Sequence, residues 1–110
     1  MSLPDYTAMA DALLALIVLQ GGPEYAITSQ DAYRPLADYF GLSERQRTRT
    51  RPDGRSGTEW ENRVQWTRQK LINAGLLDGS VRGVWRLTGK GARAAKKVSA
   101  KYTVFRRERG

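Results

Sequence analysis

The segment from Thr58 to Thr88 constrains the fold more than any other part of the chain, because it predicts a capped helix followed at once by a two-stranded hairpin. Thr58 and Glu61 have the spacing of a capping box, and residues 73–75 supply a helix stop. Asp78 and Gly79 form a favourable pair for the hairpin turn, and another helix begins after Thr88. This order is typical of a winged helix-turn-helix, a mainly α fold with a small β-hairpin (α+β).

The residues before this segment predict three more helices. A first helix, roughly Tyr6 to Gln20, is apolar nearly all round, so we expect it to be central. A short strand from Glu24 to Ile27 precedes a second helix that ends at Gly41. Pro35 implies that the second helix either starts late, near residues 31–34, or kinks. A short third helix begins at residue 43, and a mobile basic loop follows over residues 49–57.

The hairpin leads into a last helix from Gly89 to about Ala100. At 110 residues the chain is long enough for one domain with a core. We therefore assign residues 1–100 to a winged-helix DNA-binding domain. Residues 101–110 are predicted to be a basic C-terminal helix end, or a tail or linker.

Charge is distributed unevenly along the chain. The formal net charge is +8, but residues 1–42 carry five acidic residues and one basic residue, a net charge of −4. Residues 43–110 therefore carry +12, which favours a polyanionic partner for the C-terminal two-thirds.

Missing residue types exclude several classes of site. Without Cys there is no disulfide or thiolate metal site, and without His the commonest metal ligand and general base is lacking. We expect no cofactor and no metal, and a reducing cytoplasm fits this composition. The longest apolar run, from Ala12 to Leu19, is too short to span a bilayer and has no basic region before it. We expect a cytoplasmic protein with no membrane partner.

The predicted helix over residues 60–73 has two different faces when it is turned by about 100° per residue. One face is expected to pack on the first helix, and it carries Trp60, Val64, Thr67, Leu71 and Ala74. The opposite face has amides at successive turns, which suit hydrogen bonds to adenine edges in the major groove. The candidate DNA-binding residues are Asn62, Gln65, Trp66, Gln69 and Asn73 on this face, and Lys70 nearer its boundary. The alternative is an ordinary solvated helix face.

Trp66 is unexpected on a polar face. Either it stacks on a base or wedges into a base step, or it packs under the third helix or the tail. In the hairpin, alternation puts Val81, Gly83, Trp85 and Leu87 on the core face and leaves Arg82 and Arg86 outward. Arg82, near the tip, is predicted to contact phosphate or the minor groove, and Arg86 has a weaker claim.

Arginines alternate with polar residues in the third helix and the loop after it. Arg45, Arg47 and Arg49 are candidate phosphate contacts, and Arg51 and Arg55 continue the pattern. Neutralising four to six phosphates predicts a log–log salt slope of about −4 to −5. The alternative is a loop whose charge only keeps the chain in solution.

The same residues resemble a known family. The motif consists of Trp60, Arg63, Val64, Trp66 and the Ala-Gly-Leu-Leu of residues 74–77, followed by residues 82–88 and Gly91. This motif is similar to the N-terminal domain of Mrr-type restriction proteins. The resemblance covers about residues 3–95. It implies a winged-helix domain that binds double-stranded DNA, usually joined to a nuclease domain that cuts modified foreign DNA. This chain departs from the family at Pro35 and in the arginine-rich loop.

The expected nuclease residues are absent from this sequence. Neither Glu61-Asn62-Arg63 nor Arg68-Gln69-Lys70 has the carboxylate-x-lysine form of a metal-dependent nuclease. We therefore expect a non-enzyme that reads DNA for a restriction or defence system, with a nuclease domain or subunit as a further partner.

Two other hypotheses stay open. The domain could sense modified cytosine by flipping the base, with Trp66 or an aromatic of the first two helices forming a cage. Alternatively it is a protein–protein module in which the first or last helix pairs two copies as a homodimer. The net charge of +12 on residues 43–110 favours a DNA-binding domain over the dimerisation module. RNA is a weaker partner, because neither an aromatic sheet pattern nor a Gly-x-x-Gly clamp is present.

Overall fold

The computed structural model describes residues 3–106, and within them the chain forms five α-helices, three short strands and two 3₁₀ segments. In chain order the helices and strands are α1 (Tyr6–Gln20), β1 (Ala26–Thr28), α2 (Gln30–Tyr39), α3 (Glu44–Thr48), α4 (Glu59–Asn73), β2 (Leu77–Asp78), β3 (Val84–Leu87) and α5 (Gly89–Val98). The 3₁₀ segments span Gly22–Glu24 and Ser99–Phe105.

Helix α1 is central, as its sequence predicts. Asp5 caps it by accepting a hydrogen bond from the Ala8 N–H at 3.0 Å. Buried residues lie on all sides of the helix, namely Met9, Ala10, Ala12, Leu13, Leu14, Ala15, Leu16 and Ile17. A helix that is apolar all round is stable in water only when other elements cover it. Helices α2, α4 and α5, strands β1 and β3, and the C-terminal 3₁₀ segment all pack against it.

Helix α2 starts at Gln30, one residue before the range that the sequence predicts, and continues through Pro35 to Tyr39. Proline at this position has no N–H to donate to the carbonyl of Asp31, in the first turn. Asp31 is exposed, so its carbonyl can bond water instead. The helix ends before Gly41, which has a φ of 64° and lets the chain reverse. The predicted end at Gly41 is confirmed.

Two capping boxes begin α3 and α4. The predicted box of Thr58 and Glu61 is confirmed, and Ser43 and Gln46 form an equivalent box before α3. In each box the hydroxyl accepts from one backbone N–H while the longer side chain accepts from the cap N–H. These caps explain why α3 and α4 are separate helices, with the turn-rich residues 49–57 between them.

The three strands form one antiparallel sheet in the order β1, β3, β2. Ile27 pairs with Trp85, and Leu77 pairs with Leu87. Strand β1 begins two residues later than predicted, because Glu24 belongs to the 3₁₀ turn and Tyr25 has a left-handed φ of 52°. The fold is winged-helix-like, because a helix, a strand, further helices and a hairpin follow in this order. Strand β1 pairs with the edge of β3 opposite to β2.

The predicted hairpin turn at Asp78 and Gly79 is wrong. Asp78 still pairs with Arg86, and the tight turn lies further along, where the Val84 N–H donates to the Val81 carbonyl at 3.1 Å. Gly83 supplies the positive φ of 77° that this turn requires. Residues 79–83 therefore form a loop, called the wing loop below. Its Val81 and Gly83 are exposed rather than part of the core face, whereas Trp85 and Leu87 are buried as predicted.

Helix α5 ends at Val98, slightly before the predicted Ala100, and the chain continues as the C-terminal 3₁₀ segment. This segment bends at Tyr102 and buries Tyr102 and Phe105 beside Tyr39. Burial raises the pKa of the Tyr102 phenol above its ordinary value of 10.0. The Gln20 side chain donates to the Phe105 carbonyl at 3.0 Å. The segment predicted as a helix end or tail thus packs on the domain through Phe105, and residues 107–110 lie outside the described part.

Gly91 allows α5 to approach the end of α4 at backbone distance. A side chain at this position would overlap the backbone carbonyl of Leu76. The Thr88 N–H, just before α5, donates to the same carbonyl at 3.1 Å, which holds the two segments together. Glycine is therefore required here for close packing, not for its φ angle.

Gly91→Ala is expected to lower the free energy of unfolding by about 1–3 kcal/mol, because the added methyl group meets rigid backbone. Urea denaturation followed by circular dichroism measures this loss. Gly89→Ala is the matched control in the same helix, since its added carbon has the Arg93 guanidinium at 3.6 Å as its nearest neighbour. Equal stability of the two variants would contradict the close packing.

Candidate nucleic-acid interface

Helix α4 presents one exposed polar face. Five side chains at helical spacing are exposed on it, namely Asn62, Gln65, Trp66, Gln69 and Asn73. At about 100° per residue these five positions fall within an arc of roughly 100°, so they form one stripe along the helix. We call these five residues the α4 stripe. The structure brings together the residues that the sequence predicts as the reading surface.

The opposite side of α4 is buried almost as predicted. Trp60, Val64, Thr67 and Leu71 face the core, and the Trp60 indole donates to the Tyr33 carbonyl at 3.0 Å. Ala74, predicted on this face, is exposed because it is the residue at which the helix ends. The buried side orients the α4 stripe outward.

Hydrogen bonds hold several amides of the α4 stripe in place. The Gln65 amide donates to the Tyr33 hydroxyl at 2.6 Å, and the Gln69 amide donates to the Asn73 carbonyl oxygen at 3.1 Å. Both bonds lie at the surface. Side chains ordered before binding lose less conformational entropy when a ligand arrives.

Trp66 is 45% exposed, so the alternative in which packing buries this side chain is not confirmed. Its ring meets Tyr6 edge-on, with the ring centroids 5.9 Å apart. The Lys70 ammonium lies 4.3 Å from the Trp66 ring centroid and 5.2 Å from that of Tyr6. These cation–π contacts keep a positive charge at the edge of the α4 stripe.

Arg68 connects α4 to the hairpin. Its guanidinium lies 5.8 Å from the centroid of Trp85, which is only 2% exposed. Gly79, at the start of the wing loop, lies so close to Arg68 and Ile72 that an added side-chain carbon would stand within 3 Å of both. The wing loop therefore begins directly beside α4.

The two hairpin arginines differ in their surroundings. Arg82 lies at the tight turn of the wing loop and is exposed. Arg86 lies on β3, with its guanidinium 3.7 Å from the Glu24 carboxylate. At the base of the loop, the Ser80 backbone N–H donates to Asp78 and holds the pKa of that carboxyl below its ordinary value of 3.8. Asp78 is thus ionised at neutral pH and fixes the start of the loop.

The arginines between α2 and α4 make mostly intramolecular contacts. Arg47 bonds Asp38 at 2.6 Å and the Leu42 carbonyl at 2.9 Å, which ties α3 to α2. Arg49 pairs with Glu59 at 3.0 Å. Arg45 is exposed and forms no ion pair within residues 3–106. Arg51 and Arg55 both contact Asp53, so the loop predicted to be mobile contains local ion pairs.

The sequence did not predict the two tyrosines that contact the α4 stripe. Tyr6 contacts Trp66 and Lys70, and Tyr33 holds Gln65, although both tyrosines come from distant helices. No spacing in the sequence reveals contacts between residues 60 and 32 positions apart. Arg63, named by the family resemblance, donates to the Pro4 carbonyl at 2.7 Å and anchors the chain before α1.

Other kinds of site are not found in the described part of the chain. Residues 3–106 contain no cluster of three or more acidic, Cys or His side chains placed to hold a metal ion. No helix in this range combines the length and hydropathy needed to cross a membrane.

The fold and this surface define the class: a small winged-helix-like domain with a polar helix face beside a basic loop. The Mrr N-terminal domain family matches residues 6–97. The chain belongs to this family. It is 31% identical over 91 residues to the type IV methyl-directed restriction enzyme EcoKMrr of Escherichia coli strain K12. That match covers 83% of this chain and 28% of the relative's length. No solved structure matches.

Trp66 lies at the surface and Trp85 lies in the core, so we expect their replacement by alanine to change stability by different amounts. Trp66→Ala is expected to lower the free energy of unfolding by about 1 kcal/mol, since it removes one exposed aromatic pair. Trp85→Ala is expected to lower it by about 3–5 kcal/mol, because it empties a buried site. Urea denaturation of both variants checks the difference. A loss of similar size for Trp66→Ala would place that side chain in the core.

Proposed function

We propose that this domain binds double-stranded DNA, with α4 in the major groove and the wing loop against the neighbouring backbone. The observation that carries the proposal is the α4 stripe: amides and an indole on one exposed face, beside the exposed Arg82. The side chains needed to hold the fold lie on the other face of the same helix.

The dimensions of α4 fit this role. Its 15 residues make a rod of roughly 22 Å, and a helix with side chains enters a major groove of about 12 Å. Asn62, Gln65, Gln69 and Asn73 offer paired donors and acceptors that match adenine edges. Arg82 and Lys70, whose ammonium lies over the Trp66 ring, supply positive charge for phosphates on either side of the groove.

The family supports a role in restriction. The related enzyme is named as a restriction enzyme, and this chain spans 28% of its length. We propose that the domain is the DNA-reading module of such a system and is not itself an enzyme. A nuclease domain or subunit is then the partner that cuts.

Fluorescence anisotropy with short labelled duplexes tests DNA binding. We expect duplex to bind more tightly than single-stranded DNA or RNA, with affinity falling as salt rises. Arg82→Ala is expected to reduce the magnitude of the log–log salt slope by about 0.9, the value of one phosphate contact. Arg34→Ala is the matched control, because Arg34 is exposed on α2 outside the α4 stripe and wing loop.

One result of the same titration would contradict the proposal. No duplex binding at low salt would reject the DNA-binding proposal. Sedimentation of the protein alone would then test the dimerisation hypothesis, in which one of the helices pairs two copies.

A second candidate function is recognition of methylated cytosine, and the exposed Trp66 favours it together with the relative's description as methyl-directed. A methyl group on cytosine C5 projects into the major groove, where apolar side chains contact the thymine methyl in the same position. The depression beside Trp66, about 400 Å³ and lined by Asp5, Tyr6, Asn62 and Arg63, is open to solvent. We therefore propose contact in the groove rather than a flipped base.

Duplexes that differ only in 5-methylcytosine test this second function. The wild-type protein is expected to prefer the methylated duplex, and Trp66→Ala is expected to bind both duplexes equally. Gln69→Ala, on the same stripe, is the control that weakens binding without removing the methyl preference. Base flipping would instead brighten a 2-aminopurine placed next to the methylated base, since that fluorophore is quenched by stacking.

A further inference from the structure

A second basic surface follows the hairpin. Between Asp78 and Glu108 the sequence contains no acidic residue, and the residues from 79 to 106 carry eight Lys or Arg side chains. Four of them lie on α5, at Lys90, Arg93, Lys96 and Lys97. None of these four is among the residues that sequence reasoning assigned to DNA binding.

Three of these bases form one stripe on α5. At about 100° per residue, Lys90, Arg93 and Lys97 fall within an arc of roughly 60°. The buried residues of the helix, Gly91, Ala92 and Ala95, lie on the opposite side. Lys90, Arg93 and Lys97 are all exposed. We call these three residues the α5 stripe. The stripe lies on the side of α5 that faces away from the core.

The α5 stripe places like charges next to one another. Like charges three or four residues apart on a helix repel each other, and both pairs in the stripe have this spacing. No acidic side chain within residues 3–106 forms an ion pair with any of the three. Lys90 also lies in the first turn of α5, where the helix dipole disfavours a positive charge, whereas Lys97 lies in the last turn, where the dipole favours one. An anionic partner would relieve all of these repulsions.

The position of α5 relates the two stripes. Its first turn packs on the residues that end α4: the Thr88 hydroxyl donates to the Gly75 carbonyl at 2.7 Å, and the Lys90 ammonium to the Ala74 carbonyl at 3.3 Å. Asn73, the last residue of the α4 stripe, directly precedes Ala74. The α5 stripe therefore begins where the α4 stripe ends.

We propose that the α5 stripe binds the phosphate backbone of the same duplex whose major groove α4 occupies. This inference rests on the proposed DNA binding and adds a second contact to it. The stripe consists of long basic side chains on a helix other than the one proposed to enter the major groove, so its contacts neutralise phosphates. It increases affinity equally for every DNA sequence and contributes to the salt dependence.

The test compares two double variants that remove the same total charge. In R93Q/K97Q, glutamine keeps a high helix propensity, so α5 is expected to remain folded. The control R34Q/R106Q removes two exposed bases that belong to neither stripe. Circular dichroism checks the fold of both, and anisotropy across a salt series with duplexes of unrelated sequence measures binding.

R93Q/K97Q is expected to reduce the magnitude of the log–log salt slope by about 1.8, since each phosphate contact contributes about 0.9. The loss is expected to be the same for all duplex sequences, and the control is expected to keep the wild-type slope. If wild-type protein binds duplex while R93Q/K97Q and the control have equal slopes, the α5 contact is wrong and the proposed function stands. If the wild-type protein binds no duplex, both proposals fail.

Discussion

The burial of α1 is the constraint on which the rest of the structure depends. In a chain of 110 residues, a helix that is apolar on every side cannot be left against water, so each neighbouring element must cover part of it. Helices α2, α4 and α5, two strands and the C-terminal 3₁₀ segment do so. Each of these elements therefore has one side committed to the core. Only the outer sides are left for binding.

This division explains why the two stripes are adjacent. Helix α4 commits Trp60 and Leu71 to the core and keeps its amides outside, while α5 uses only glycine and alanine on its buried side. Small residues bring α5 close to the turn after α4. Lys90, in the first turn of α5, consequently reaches the Ala74 carbonyl at the end of α4.

The local features of this fold could be predicted from the sequence, and the long-range ones could not. The bounds of α1 and the capping box of Thr58 and Glu61 depend on neighbouring residues, so their patterns are readable. The pairing of β1 with β3 depends on residues almost 60 positions apart, as does the contact of Trp66 with Tyr6. The hairpin turn was misplaced because the Asp78 side chain bonds Ser80 and delays the reversal of the chain. For the candidate site, helical phase identified the α4 stripe but not the partners that hold it.

The three tryptophans differ in exposure, so the intrinsic fluorescence of the protein can report on one surface. Trp60 and Trp85 are each 2% exposed, whereas Trp66 is 45% exposed and lies on the α4 stripe. A soluble quencher such as iodide reaches only Trp66, so the accessible part of the intrinsic fluorescence arises from that face alone. Shielding of this emission would therefore locate any ligand on α4 without attaching a label to the protein.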